Sequence, residues 1–315
     1  MSTFKSESGL LRVTTRGLTW FAFALVSILL LEVFPLGTWS TIVSVAALLV
    51  ALAVPTARAS WRGVVDPQDL VAIGVLYAAV VAFFRLAFAV FTTGNVLGLF
   101  LAFAGGLLVG VAGPIGYQVW LRGRDLLSLG IGLHRLRETA VVGLVLAATQ
   151  FSITMWGYQM PEPMAWVPLL GMSLVVGFFE AVFFRGFIQN RLEASLGTTP
   201  GVVGAALLYG LYHVGYGMGF EEIWFLTGLG VVYAVVFRLV GNILVLWPLL
   251  TPLGSFFNQL QASDIELPWA SIAGFADVGV VMAIAVWLAH RHIRKRKDSS
   301  ESPRTRPPTM SKVGS

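Results

Sequence analysis

The sequence predicts an all-α bundle of about ten transmembrane helices with both termini in the cytoplasm, on three observations. Of 315 residues, 57% are hydrophobic and only 12% charged, well outside the composition of a soluble domain. The mean hydropathy is +0.80. The apolar residues come in blocks of about twenty, the length that spans ~30 Å of hydrocarbon at 1.5 Å per residue. Finally, the basic residues fall in short loops that an even number of crossings puts on one side of a membrane. A β-barrel would show alternating segments of about ten residues, and stretches such as Thr41 to Val54 and Leu70 to Val81 do not alternate. The chain has no cysteine, which excludes disulfides, thiolate metal sites and a cysteine nucleophile. The formal net charge of +5 is distributed over loops and ends and carries no nucleic-acid signal.

The predicted spans are 18–36, 39–56, 70–91, 95–120, 138–157, 165–187, 201–218, 222–240, 243–260 and 268–289. Residues 1–17 form a cytoplasmic tail carrying Lys5, Arg12 and Arg16. The first span is too long for a removed signal peptide and is read as a retained helix. Four N-terminal spans fill residues 18–120, and a cytoplasmic loop at 121–137 separates them from a six-span core at 138–289. Arg58 and Arg62, Arg122, Arg124, Arg135 and Arg137, Arg191, Arg238 and the run from Arg291 to Lys297 then share the cytoplasmic side. The opposite loops carry Glu162, Glu221, Glu222, Asp264 and Glu266. Residues 290–315 read as a basic, disordered tail, with prolines beyond Ser299. Gly106 and Gly110 form a small-xxx-small pair of the kind that lets helices approach closely, and packing accounts for it.

An ionisable group inside hydrocarbon costs at least ~2.5–3.5 kcal/mol, so each one needs a reason. Five qualify: Glu32, Arg85, Glu180, His213 and Asp277. Glu32 and Arg85 lie near span ends, where they can reach the interface. Asp277 falls mid-span, where a structural pairing and a place in a site are equally good readings. Glu180 sits among Phe178, Phe179, Phe183, Phe184 and Phe187, a low-dielectric setting suited to proton abstraction from water. His213 is the one histidine of four inside a core span. Arg185, five residues after Glu180, is placed by α-helical geometry ~7.5 Å along the axis and ~140° around it, as an anchor for the helix end. Counted on straight helices, Glu180 lies ~10 Å and His213 ~18 Å from the cytoplasmic edge, so their convergence requires a shifted helix start or a tilt. Pro248 and Pro252 break the ninth span and bring Asn258 deeper. Tyr212, Tyr216, Gly215, Gly217 and Gly219 read as a packed helix terminus, with a path for substrate or water as the other reading.

At these residues the sequence resembles the CAAX protease and bacteriocin-processing (CPBP, or Abi) family of intramembrane proteases, over roughly residues 125–289. The family's Glu-Glu-x-x-x-Arg motif appears as Glu180-Ala181-Val182-Phe183-Phe184-Arg185. Its aromatic-x-x-x-His motif appears as Tyr209 to His213, and its His-x-x-x-Asn motif as Gly254 to Asn258. Ala181 and Gly254 depart from the pattern. The resemblance implies peptide-bond hydrolysis by a glutamate-activated water: Glu180 as general base, His213 orienting the water or assisting proton transfer, Asn258 donating to the oxyanion. Arg185, Tyr209 and Asp277 would support them. No cofactor is assigned; Glu180 and His213 alone leave zinc short of the three ligands it wants. The resemblance also implies a membrane-associated protein or peptide as substrate and the prokaryotic plasma membrane as location.

Three readings follow. The first is an intramembrane endopeptidase. The second is an impaired relative that binds a membrane peptide, as in bacteriocin immunity. The third is a proton-coupled transporter, which predicts inverted repeats that the sequence lacks.

Overall fold

The computed structural model describes residues 65–92, 96–134, 136–154, 174–247 and 268–301, together with Pro163. Glu32, Asn258, the third motif and the first two predicted spans lie outside the described residues, as does the Asp277 side chain. Every regular element among the described residues is helical. We number the long ones α1 (Pro67–Phe91), α2 (Leu97–Leu121), α3 (Leu136–Thr154), α4 (174–196), α5 (Thr198–Leu211), α6 (Phe220–Val240) and α7 (Pro268–Glu301). Three of them, α1, α2 and α6, are long and apolar enough to cross a membrane.

Helix starts and stops follow local chemistry. Asp66 caps α1, its Oδ1 accepting from the amides of Gln68 (3.1 Å) and Asp69 (3.4 Å), with Pro67 at the first turn. Glu222 Oε2 accepts from the Gly219 amide at 2.8 Å at the start of α6, and Gly241, at φ +73°, ends that helix. Between α4 and α5 the chain reverses at Gly197, whose φ of +98° only glycine adopts without strain. The hairpin then packs tightly, because a Cβ on Gly201 would meet the Glu193 backbone amide at 2.6 Å.

The centre of the bundle is α4. From Ala181 to Gln189 every residue is buried, Arg185 and Gln189 included, which is the signature of a helix enclosed on all sides. It packs on α2, α5 and α6. The outer helices show the opposite character: Val71 and Val75 of α1, and Val141 and Leu144 of α3, are exposed apolar residues, a surface suited to lipid. Gly106 and Gly110 face Phe179 of α4, and a side chain at Gly110 would collide with that ring.

Two sequence expectations change here. The basic tail does not become disordered at 290, since α7 continues as helix to Glu301; His290 to Ser299 lack any helix breaker. The helix read as the sixth span does not end at 187 but winds on to 196.

Candidate active site

Glu180 ends the α-helical first part of α4, and the nine residues after it form π-helix. The α5 helix, arriving from the Gly197 reversal, carries Tyr209, then a 3₁₀ turn at Tyr212–Tyr216 carries Tyr212 and His213. The register of the hairpin brings them level: Glu180 is 17 residues before Gly197 and His213 is 16 after it. The depth mismatch counted on the sequence thus came from ending α4 too early.

The Glu180 carboxylate, 3% exposed, is held at both oxygens. Tyr209 Oη donates to Oε2 at 3.3 Å, and Tyr212 Oη donates to Oε1. His213, 6% exposed, lies against the same two rings, its centroid 4.0 Å from that of Tyr212 and 5.3 Å from that of Tyr209. Its Nδ1 is 2.9 Å from the Tyr209 carbonyl oxygen. A carbonyl only accepts, so in the neutral ring Nδ1 carries the proton and Nε2 presents its lone pair. One residue, Tyr209, therefore holds both groups, the carboxylate through its hydroxyl and the imidazole through its backbone.

Arg185 does not face away from Glu180. A π-helix closes i to i+5, so residues five apart lie over one another, where an α-helix would set them ~140° apart. The fully buried guanidinium lies with its Cζ 5.1 Å from the Tyr209 ring centroid, on the residue that binds Glu180. Among the described residues none of its nitrogens has a hydrogen-bond partner. Arg85 behaves as a helix-end residue: it is exposed and donates to the Val214 carbonyl at 3.4 Å.

Tyr212 is the site residue that the motifs did not single out. The signal was its spacing: 209, 212 and 213 are i, i+3 and i+4 and share one helix face. The wall behind it is aromatic. Phe84 lies 6.0 Å from Tyr212 and 4.9 Å from Tyr216, and Phe184 lies 4.7 Å from Tyr212. The helix terminus at 212–216 is accordingly packed, with Tyr212 fully buried. Among the described residues no three His, Asp or Glu side chains come together as a metal would need.

A second polar cluster lies at the end of the bundle where α1 begins. Asp69, 2% exposed, takes Arg124 at both oxygens (3.0 and 3.1 Å), accepts from Tyr117 Oη at 2.7 Å and has Arg191 at 3.9 Å. Arg122 pairs with Asp66. Arg122, Arg124 and Arg191, which the charge pattern assigns to loops on one side, thus meet at one end.

Residues 162–249 match the family model described as Type II CAAX prenyl endopeptidase Rce1-like. The match contains the first two motifs, from Glu180 to Arg185 and from Tyr209 to His213, so the resemblance to the CPBP proteases holds over the part of the chain that builds this site. No curated protein and no solved structure matches the chain. With the apolar helices α1, α2 and α6, the match supports an integral membrane protein of the CAAX-type protease class.

Proposed function

We propose that this protein is an intramembrane endopeptidase that hydrolyses a peptide bond of a membrane-associated protein or peptide with a water activated by Glu180. The observation that carries the reading is the shared anchorage of Glu180 and His213 by Tyr209, whose hydroxyl donates to the carboxylate and whose backbone carbonyl accepts from the imidazole in a buried aromatic site. Glu180 takes a proton from water as the oxygen attacks the carbonyl carbon, and returns it to the departing amine. Each carboxylate oxygen has a lone pair left after accepting from one tyrosine, so a water can be held without releasing either phenol. His213, through Nε2, orients that water. Asn258 completes the site as donor to the oxyanion, a role that rests on the resemblance. Arg185 is a positioning residue, acting through Tyr209. The chain crosses the membrane about ten times with both ends in the cytoplasm, in keeping with the meeting of Arg122, Arg124 and Arg191 at one end.

The test is cleavage in proteoliposomes, read by mass spectrometry. The two probes are peptides ending in Cys-a-a-X, one farnesylated and one not, because the matching family is described as acting on prenyl substrates. Wild-type protein is expected to release the C-terminal fragment, and Glu180→Gln to lose ~10²–10⁴-fold of the rate. Full activity in Glu180→Gln would overturn the assignment of the base. Cleavage of both probes alike would remove the prenyl group from the specificity and leave the chemistry intact.

A further inference from the structure

The C-terminal helix α7 has two contrasting sides. Ala289 is fully buried, Ile293 packs on the core, and Arg296 lies against Gly123 in the loop after α2. These positions are i, i+4 and i+7, so this side faces the bundle. On the opposite side Val280, Ile284 and Trp287 are 58%, 50% and 57% exposed, again at i, i+4 and i+7. The same outward stripe continues to Arg291 and then to Arg294 and Lys295, all exposed. An exposed apolar face therefore becomes a cationic one within a single helical turn.

Trp287 marks the change. It is an aromatic residue of the kind that settles at a membrane interface, and the Arg291 guanidinium lies 5.4 Å from its ring centroid. Arg291 is ~6 Å and Lys295 ~12 Å further along the axis, which spans the ~5–8 Å of headgroups on one leaflet and its aqueous edge. Residues 290–298 hold five lysines and arginines against one acid, Asp298. Where Arg296 lies against Gly123, the flanking Arg122 and Arg124 pair with Asp66 and Asp69.

We propose that Arg291, Arg294 and Lys295 form a binding surface for anionic phospholipid headgroups, with Val280, Ile284 and Trp287 lying along the acyl chains of the same lipids. Charge complementarity selects the headgroup, and the unbroken helix fixes its distance from the apolar stripe. This surface is separate from Glu180 and does not depend on the hydrolytic reading.

The experiment uses the full chain in mixed micelles of phosphatidylglycerol and phosphatidylcholine at equal amounts, with retained lipids counted by native mass spectrometry. The wild type is expected to keep phosphatidylglycerol selectively. The triple variant Arg291→Gln, Arg294→Gln, Lys295→Gln is expected to lose more than about tenfold of that preference. The charge-keeping variant Arg291→Lys, Arg294→Lys, Lys295→Arg should retain it, which separates charge from folding. Equal retention of both lipids by the wild type, or an unchanged preference in the glutamine variant, would overturn the proposal. Displacement of the lipid by millimolar inorganic phosphate would also overturn it, by showing a site for a free anion instead.

Discussion

Among the described residues two carboxylates, Asp69 and Glu180, are buried, and their surroundings differ in kind. Asp69 is met by guanidiniums, Arg124 at both oxygens and Arg191 nearby, and its charge is balanced where it lies. Glu180 is met by neutral phenols, while the Arg185 guanidinium lies over the face of the Tyr209 ring. A paired carboxylate ties helix ends together and has no reason to exchange protons. A carboxylate held by neutral donors keeps a free lone pair and a fixed orientation, which are what a general base needs. The contrast distinguishes a charge-balanced cluster from the one to which the proposed function assigns the base.

The sharpest way to break this comparison is to neutralise both acids and measure opposite properties. Glu180→Gln is expected to abolish cleavage by ~10²–10⁴-fold while changing stability in detergent by less than about 1 kcal/mol, since amide and carboxylate have the same shape, and the amide oxygen accepts from one tyrosine while its NH2 donates to the phenol oxygen of the other. Asp69→Ala should do the reverse. Removing one partner of a buried ion pair costs ~3–5 kcal/mol, and the partial exposure of Arg122 and Arg124 reduces this to about 2–3 kcal/mol. The folded fraction should still cleave. If Asp69→Ala destroys activity with stability unchanged, the two clusters are one functional unit and the distinction fails.

A smaller effect tests the tyrosines. Tyr212→Phe removes the donor to Glu180 Oε1 and leaves the ring that packs on Phe84, Phe179 and Phe184. A hydrogen bond to a charged group contributes ~1.5–3 kcal/mol, so the cleavage rate should fall roughly 10–100-fold. The pH profile of the rate should move as well, because the proton affinity of the base has changed. A loss of rate with the same pH profile would make Tyr212 a packing residue.

How much of this was legible before the structure depends on the kind of signal. Spans such as 70–91, 95–120 and 222–240 lie close to α1, α2 and α6, because a block of apolar residues bounded by Asp66 or Gly241 states its own length. Glu180 and His213 stood out by their cost in hydrocarbon, and both are buried. The position of Arg185 was not legible: Ala181 to Gln189 carries no mark of π-helical winding, and α-helical counting turned the guanidinium away from Glu180. The end of α4 was missed for a related reason, since Asn190, Arg191 and Glu193 read as a loop yet wind into helix against α5. Asp69 was passed over although Asp66, Pro67 and Asp69 before an apolar run are a helix-start pattern; its three arginines come from sequence positions 53 or more residues away.

The Gly106 and Gly110 pair, explained on the sequence by packing alone, sits directly against the site. A methyl group on Gly110 would overlap the Phe179 ring, and Phe179 adjoins Glu180 in the chain and packs on Tyr212 with centroids 6.1 Å apart. Gly110→Ala should therefore cost about 1–3 kcal/mol of stability by overpacking, and lower the cleavage rate of the folded protein as Tyr212 is displaced. A stability loss with the rate per folded molecule unchanged would show that α2 packs on the site without shaping it.

The smallest expected effect concerns a third carboxylate, Glu193, which lies between the two types. Its carboxylate has Arg238 Nε at 3.4 Å and accepts from Gln189 Nε2 at 2.8 Å. Burial nevertheless pushes its carboxyl above the usual glutamate range, against the smaller pull of Arg238 and Gln189. An acid that binds its proton more tightly when folded contributes most to stability below its unfolded value, and the contribution declines as pH rises through the folded value. Unfolding measured in detergent from pH 4 upward, wild type against Glu193→Gln, isolates this one titration. The wild type should lose a little stability relative to the variant across that window, and the variant should be equal or slightly more stable at neutral pH, because a pair with the half-exposed Arg238 is worth little. If the wild type instead gains on the variant as pH rises, the ion pair outweighs burial and Glu193 belongs with Asp69 among the balanced carboxylates.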